Sequence, residues 1–132
     1  MVYLVDDDVD DLEFVQEALV KNSYKGPVDT ALNGQLLINK LTDQQRPVRP
    51  DVIVLDLNMP LKDGFQTLHE IKNNPALNRI PVIILTASSN KDDEMRCIAL
   101  GCHAYFRKPD KIADYQSLVS TIKAHVRAQQ IS

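Results

Sequence analysis

Acidic side chains occur where two apolar runs of the sequence end. Asp6 and Asp7 follow Val2–Val5, and Asp56 follows Val52–Leu55. Carboxylates cannot lie close together unopposed, because two like charges about 4 Å apart repel by roughly 4 kcal/mol at an effective dielectric near 20. A hard divalent cation suits such oxygen ligands, and Mg²⁺ typically keeps several waters that a phosphate can replace. The three residues therefore form a candidate magnesium site.

A hydroxyl and an amine follow two later apolar runs. Thr86 comes after residues 82–85, and Lys108 comes shortly after residues 104–106. A lysine supplies a second positive charge, and a threonine hydroxyl can donate a hydrogen bond to a phosphoryl oxygen. Together with the candidate metal site, these groups suit the phosphorylation of a carboxylate.

Five short apolar runs rich in β-branched residues alternate with longer stretches of helical period. This alternation predicts a parallel sheet that is covered by helices on both faces. In open α/β sheets the carboxyl ends of the strands meet at one edge, where ligands bind, so the candidate residues should converge there. The third and fourth strands are the most hydrophobic and should be central. The predicted strands are Val2–Val5, Val28–Ala31, Val52–Leu55, 82–85 and 104–106.

Helical periodicity and helix-ending residues locate five helices. Asp8, Asp10 and Asp11 are expected to be a solvated loop and helix N-terminus. Gly64 is expected to permit a positive φ in the turn that leads into the third helix. The first helix should direct toward the sheet an apolar stripe of Leu12, Phe14, Val15, Ala18 and Leu19. The later helices are predicted at Gly34–Leu41, 64–73, 92–100 and about 112–127.

Composition narrows the functional class. The 15 Lys and Arg residues against 18 Asp and Glu residues give a net charge of −3, and no basic face is evident, which disfavours direct nucleic-acid binding. No apolar run approaches the roughly 20 residues that span a bilayer, and the start of the chain is too short and acidic for a signal peptide. We therefore expect a cytoplasmic protein without membrane contact, with one domain over residues 1–132 and no output domain. Cys97 and Cys102 are expected to be free buried thiols.

The sequence resembles the receiver family of bacterial response regulators. The matching stretches are residues 5–7 (VDD), 55–60 (LDLNMP), 63–64 (DG), 85–87 (LTA), and Tyr105 followed by Lys108 and Pro109. The resemblance runs from about Tyr3 to the final helix. It implies a flavodoxin-like α/β sandwich of three layers, with a five-stranded parallel sheet in the order 2-1-3-4-5 flanked by five helices. It also implies a single-domain regulator similar to the chemotaxis regulators.

The resemblance implies a phosphoacceptor beside a metal site. Asp56 would take a phosphoryl group from the phosphohistidine of a sensor histidine kinase or from a small phosphodonor. Asp7 and Asp56 would bind Mg²⁺ directly, Asp6 would act mainly through water, and the backbone carbonyl of Asn58 would complete the protein ligands. Such a chain would be a signalling domain that assists only its own phosphorylation and dephosphorylation.

Further roles follow from the same resemblance. Thr86 and Lys108 would hold the transferred group and follow it inward, and Tyr105 would change its packing as a switch. The bond between Lys108 and Pro109 would be cis, as cis bonds are overwhelmingly a proline feature. The fourth helix, fifth strand and fifth helix would form the face that changes.

The expected partners are separate proteins. They are a sensor histidine kinase and either a downstream effector or a histidine phosphotransfer protein. A relay role, an end-point role and a homodimer remain open, as do the stimulus and the kinase. Residues 73–75 and 79–81 resemble, less specifically, the receivers without output domains that work with phytochrome-like kinases.

Two other classes share parts of this pattern. Phosphatases of the haloacid dehalogenase type also phosphorylate an aspartate after a strand, but they use a second aspartate as general acid and base where this chain has Asn58, which cannot transfer a proton. Flavodoxin-like cofactor binders cradle a phosphate in the first loop, where the acidic run from Asp6 to Asp8 would repel it.

Overall fold

The structure, a computed structural model, describes residues 1–131 and the side chains of residues 1–126. Five strands alternate with five α-helices, and a short 3₁₀ helix precedes the last of them. The strands are β1 (Val2–Val5), β2 (Val28–Ala31), β3 (Val52–Leu55), β4 (Val82–Thr86) and β5 (Ala104–Arg107). The helices are α1 (Val9–Lys21), α2 (Gly34–Leu41), α3 (Gly64–Lys72), α4 (Lys91–Leu100), the 3₁₀ helix (Ile112–Tyr115) and α5 (Gln116–Ile131).

All strand pairs are parallel, and the sheet has the order β2-β1-β3-β4-β5. This is the predicted flavodoxin-like fold. β3 lies at the centre and β4 lies inside the sheet, as their hydrophobicity predicted. The described residues include no helix that is both long and apolar enough to cross a membrane.

The alternation of side chains along each strand separates two apolar layers. On one face, Tyr3 and Leu55 pack with residues of α2 and α3. On the other face, Leu4 and Val54 pack with residues of α1 and α5. Helices therefore pack on both faces of the sheet, and the loops that carry the candidate residues leave from its carboxyl edge.

Four sequence predictions about the helices need correction. Helix α3 ends at Lys72, one residue before the predicted end, because Asn73 is its C-cap. The Phe14 side chain is 44% exposed, because at 3.6 residues per turn it lies about 100° around α1 from the buried Val15. The last helical segment starts as a 3₁₀ turn and extends beyond the predicted end at residue 127. Helix α4 begins one residue early, at Lys91, because Asn90 caps it through a hydrogen bond from the backbone N of Asp92.

Candidate functional site

Two adjacent strands bring the acidic residues together. β1 and β3 pair with Val5 opposite Leu55, so Asp6 and Asp56 leave the sheet side by side. The backbone N of Asp56 donates to Val5 O at 3.0 Å, which extends the ladder to the acidic residue itself. One carboxylate oxygen from each of Asp6, Asp7 and Asp56 lies within 4.8 Å of the others. The predicted convergence of these three residues is therefore confirmed.

Burial makes this cluster electrostatically costly. Asp6 and Asp56 are each only 6% exposed, whereas Asp7 is exposed. Burial and then the charge of Asp6 raise the pKa of Asp56 to about 6, against the opposing effect of Lys108. Burial also raises the pKa of Asp6, although its hydrogen bond with Lys108 lowers it in part. The donor set of carboxylate oxygens fits a hard divalent cation, which would stabilise the ionised forms.

Lys108 supplies the positive charge that the sequence predicted beside the acidic residues. Its Nζ lies 2.8 Å from Asp6 Oδ2 and 3.6 Å from Asp56 Oδ2. Burial alone would lower the pKa of Lys108, but hydrogen bonds to Asp11 and Asp6 and the charge of Asp56 raise it above its usual value. The backbone N of Lys108 donates to Thr86 O at 2.7 Å, which fixes this loop to the end of β4.

The expectation of a cis bond between Lys108 and Pro109 is wrong, because no cis peptide bond occurs in the described residues. The trans isomer is the lower-energy form even before proline, and Lys108 reaches the carboxylates from it.

Asp11 is a site residue that the sequence analysis missed. It was expected to be solvated, yet its Oδ2 lies 2.6 Å from Lys108 Nζ. Asp8, by contrast, caps α1 by accepting hydrogen bonds from the backbone N of Asp10 and of Asp11. The available signal was position: the first turn of α1 follows β1 at the same sheet edge as the other candidates.

Thr86 is the last residue of β4 and is fully buried. Its Oγ1 accepts a hydrogen bond from the backbone N of Ser88 at 3.2 Å, which leaves the hydroxyl proton available to another acceptor. The Ser88 hydroxyl donates to Asp93 Oδ2 at 2.7 Å. The loop after β4 is therefore tied to the first turn of α4.

Tyr105 lies on β5 with a partly buried ring. Its hydroxyl is buried and has no hydrogen bond of good geometry within the described part of the chain. Burial raises the pKa of this hydroxyl, and nearby Ser88 offsets part of the rise. An unpaired buried hydroxyl is unfavourable. The switch role of Tyr105 stays a prediction.

The loop between β3 and α3 is built around close backbone contact. The backbone N of Gly64 donates to Leu57 O at 2.8 Å, and a Cβ at Gly64 would lie 2.3 Å from Asp56 O. The predicted positive φ at Gly64 is wrong, since the positive φ in this loop, 66°, belongs to Leu61. Glycine is needed at position 64 because α3 begins against the backbone of Asp56. Asn58 lies in this loop with an exposed side chain.

The chain is similar in sequence to known proteins. The family model described as the response regulator receiver domain matches residues 2–120. Response regulator Rcp1 of Synechocystis sp. is 35% identical over 127 residues, which cover 94% of this chain and 86% of that protein. A probable cyclic di-GMP phosphodiesterase of Vibrio cholerae is 33% identical, but the match covers only 28% of it. In that longer protein, the similarity is confined to one part.

Solved structures agree with the sequence comparison. The phosphorylated cyanobacterial phytochrome response regulator RcpA has a TM-score of 0.82 and 35% identity, over 92% of this chain and 89% of that one. The Mn²⁺-bound form of Rcp1 has a TM-score of 0.75 and 35% identity, over 93% of this chain and 91% of that one. The family match, the sequence identity to relatives and the shared fold therefore agree, and the chain belongs to the response regulator receiver domain family.

Proposed function

We propose that this receiver domain accepts a phosphoryl group on Asp56 in the presence of Mg²⁺ and passes the signal to a separate protein. The observation that carries the proposal is the position of Asp56. Its buried carboxylate lies in a cluster with Asp6 and Asp7 whose oxygens are within 4.8 Å of one another, and Lys108 Nζ is 3.6 Å away. Such a site suits phosphoryl transfer, in which catalysis is positioning and charge neutralisation.

In the proposed reaction, a carboxylate oxygen of Asp56 forms a bond to phosphorus as the bond to the donor breaks. The donor leaves with the bonding electrons, as imidazole from a phosphohistidine or as acetate from acetyl phosphate. Asp56 must be ionised to attack, and its raised pKa of about 6 leaves it mostly ionised at neutral pH.

The proposed metal-binding groups are the carboxylates of Asp6, Asp7 and Asp56 and the backbone carbonyl of Asn58. When bound, Mg²⁺ supplies positive charge that stabilises the phosphoryl oxygens. Lys108 would contribute its ammonium group, and Thr86 would donate its free hydroxyl proton to a phosphoryl oxygen. Thr86 would move toward that oxygen, and Tyr105 would then change its packing and bring its unpaired hydroxyl to a partner.

Asn58, two residues after Asp56, favours storage of the phosphoryl group over its rapid hydrolysis. A phosphatase of the haloacid dehalogenase type needs a carboxyl group there to donate and accept protons, and Asn58 cannot do this. The aspartyl phosphate should therefore persist for the time that a signal requires.

We infer that the donor is a sensor histidine kinase in the cytoplasm. The name of the similar RcpA structure connects that regulator with a phytochrome, which favours a photoreceptor kinase as the donor class here. We infer further that the chain acts as a single-domain regulator, on an effector or on a histidine phosphotransfer protein. The face of α4, β5 and α5 is the proposed contact surface, and α4 exposes the apolar side chains of Met95 and Ile98.

The test that separates an acceptor from a phosphatase is steady turnover. With Mg²⁺ and p-nitrophenyl phosphate, we expect release of p-nitrophenol to stay within one equivalent per chain over the lifetime of the aspartyl phosphate. Multiple turnovers within that lifetime that disappear in Asp56→Ala would identify a phosphatase and would refute the proposed storage role.

A further inference from the structure

The ammonium group of Lys108 has a partner outside the proposed metal and phosphoryl site. Its Nζ is closer to Asp11 Oδ2, at 2.6 Å, than to Asp6 Oδ2 or Asp56 Oδ2. The side chains of Lys108 and Asp11 are 12% and 25% exposed, so water screens this contact only in part. Charge-assisted hydrogen bonds of this length are stronger than ordinary surface ion pairs.

The fold holds Asp11 in this position. The Asp8 side chain accepts hydrogen bonds from the backbone N of Asp10 at 2.9 Å and of Asp11 at 3.3 Å, which orders the first turn of α1. The backbone N of Asp8 donates in turn to Asp6 Oδ1 at 2.9 Å. A continuous set of contacts therefore joins the start of α1 to the acidic cluster, and the pairing of Asp11 with Lys108 belongs to the architecture of the site.

Asp11 changes the charge balance of the site. With Asp11 included, four carboxylates face Lys108 and one divalent cation, which together carry three positive charges. One negative charge is left in excess before a phosphoryl group arrives with about −1.5 to −2 more. An ammonium group has three N–H donors. In the unphosphorylated chain, Asp11 and Asp6 accept hydrogen bonds from two of them.

We propose that Asp11 competes with the phosphoryl group for Lys108 and thereby restrains the phosphorylation of Asp56. This inference rests on the proposed function and assigns Asp11 as a positioning residue that acts through Lys108. In the unphosphorylated chain, Asp11 holds the ammonium group and partly neutralises it. The incoming phosphoryl oxygens must displace that contact against the repulsion of an additional carboxylate.

The matched comparison is Asp11→Asn against Asp10→Asn. Both variants remove one negative charge from the same turn of α1, but the exposed Asp10 side chain pairs with no group among the described residues. At fixed acetyl phosphate and saturating Mg²⁺, we expect Asp11→Asn to gain its phosphoryl group about fivefold faster than wild type. Asp10→Asn should match wild type. Equal rates in the two variants, or a slower rate in Asp11→Asn, would overturn the inference.

A double-mutant cycle tests whether Asp11 acts through Lys108. In the Lys108→Met background, adding Asp11→Asn should leave the rate unchanged, because no ammonium group remains to compete for. An acceleration that persists in that background would show a general field effect and would also overturn the inference.

A direct readout of the contact needs neither metal nor phosphodonor. The Lys108 ammonium signal in ¹H–¹⁵N NMR spectra should exchange faster with water in Asp11→Asn and should be unchanged in Asp10→Asn. An unaltered signal in Asp11→Asn would contradict the pairing. Failure of the proposed function is distinguishable, because wild type and every variant would then gain no phosphoryl group.

Discussion

Asp56 combines two properties that oppose each other in a metal-free protein. It is a buried carboxylate that must be ionised to act as a nucleophile, and burial together with Asp6 raises its pKa to about 6. In an unfolded chain an aspartate has a pKa near 3.9. Because the folded value is the higher one, ionisation of Asp56 favours unfolding. The stability contribution of the protonated form is complete below the unfolded pKa and is lost as the pH rises through about 6.

The raised pKa of Asp56 gives a prediction for the stability of the metal-free protein. At pH 7 in EDTA, Asp56→Asn should be more stable than wild type by about 1 to 3 kcal/mol, because the neutral amide avoids the buried charge. The difference should shrink as the pH falls from 7 to 5. Urea unfolding at several pH values measures it, and Asp10→Asn serves as the charge-matched control. A variant that is less stable than wild type at pH 7 would show that the buried charge of Asp56 does not destabilise the folded chain.

At the scale of secondary structure elements, the start of α3 determines where the backbone of Asp56 lies. Asp63 and Gln66 form a reciprocal capping box at this helix terminus. Gly64 then packs so closely that a Cβ would lie 2.3 Å from Asp56 O and 2.6 Å from Leu57 Cα. The position of the acceptor therefore depends on a helix that contributes no side chain to the proposed chemistry.

Gly64→Ala should accordingly impair both folding and the site. Overpacking against backbone atoms should lower the free energy of unfolding by about 1 to 3 kcal/mol and should slow phosphorylation by acetyl phosphate. Gly101→Ala is the control. It strains a left-handed residue with φ 98° at the end of α4, near the opposite sheet edge, and should destabilise the chain without slowing phosphorylation relative to wild type. Equal phosphorylation rates in the two variants would contradict this account of Gly64.

Periodicity in the sequence was sufficient to predict most element boundaries, since strands that are buried on both faces read as continuous apolar runs such as Val52–Leu55. The convergence of Asp6, Asp7 and Asp56 followed from their places at strand ends. The contact of Asp11 with Lys108 could not be predicted in this way, because it depends on how the first turn of α1 is oriented. The close approach of Gly64 depends on packing between elements that are separate in sequence, and no local pattern reports it.

At the scale of the whole molecule, the two apolar layers support the sheet, and the charged site lies at its carboxyl edge. The backbone N of Lys108 donates to Thr86 O, and hydrogen bonds continue from Thr86 through Ser88 to Asp93 in the first turn of α4. We predict that a change at Asp56 reaches α4 along this route. A phosphoryl group would add about −1.5 to −2 charge to this edge, enough to bias a loop with two arrangements. The roles of Thr86 and Tyr105 in such a change stay predictions.

The central claim is that Asp56 accepts one phosphoryl group in a metal-dependent reaction. Intact-mass spectrometry after incubation with acetyl phosphate and Mg²⁺ tests it most directly, on wild type and on Asp56→Asn. The account predicts a mass gain of one phosphoryl group in wild type, no gain in Asp56→Asn, and no gain in wild type when EDTA replaces Mg²⁺. No gain in wild type with Mg²⁺, or a gain that Asp56→Asn leaves unchanged, would contradict it.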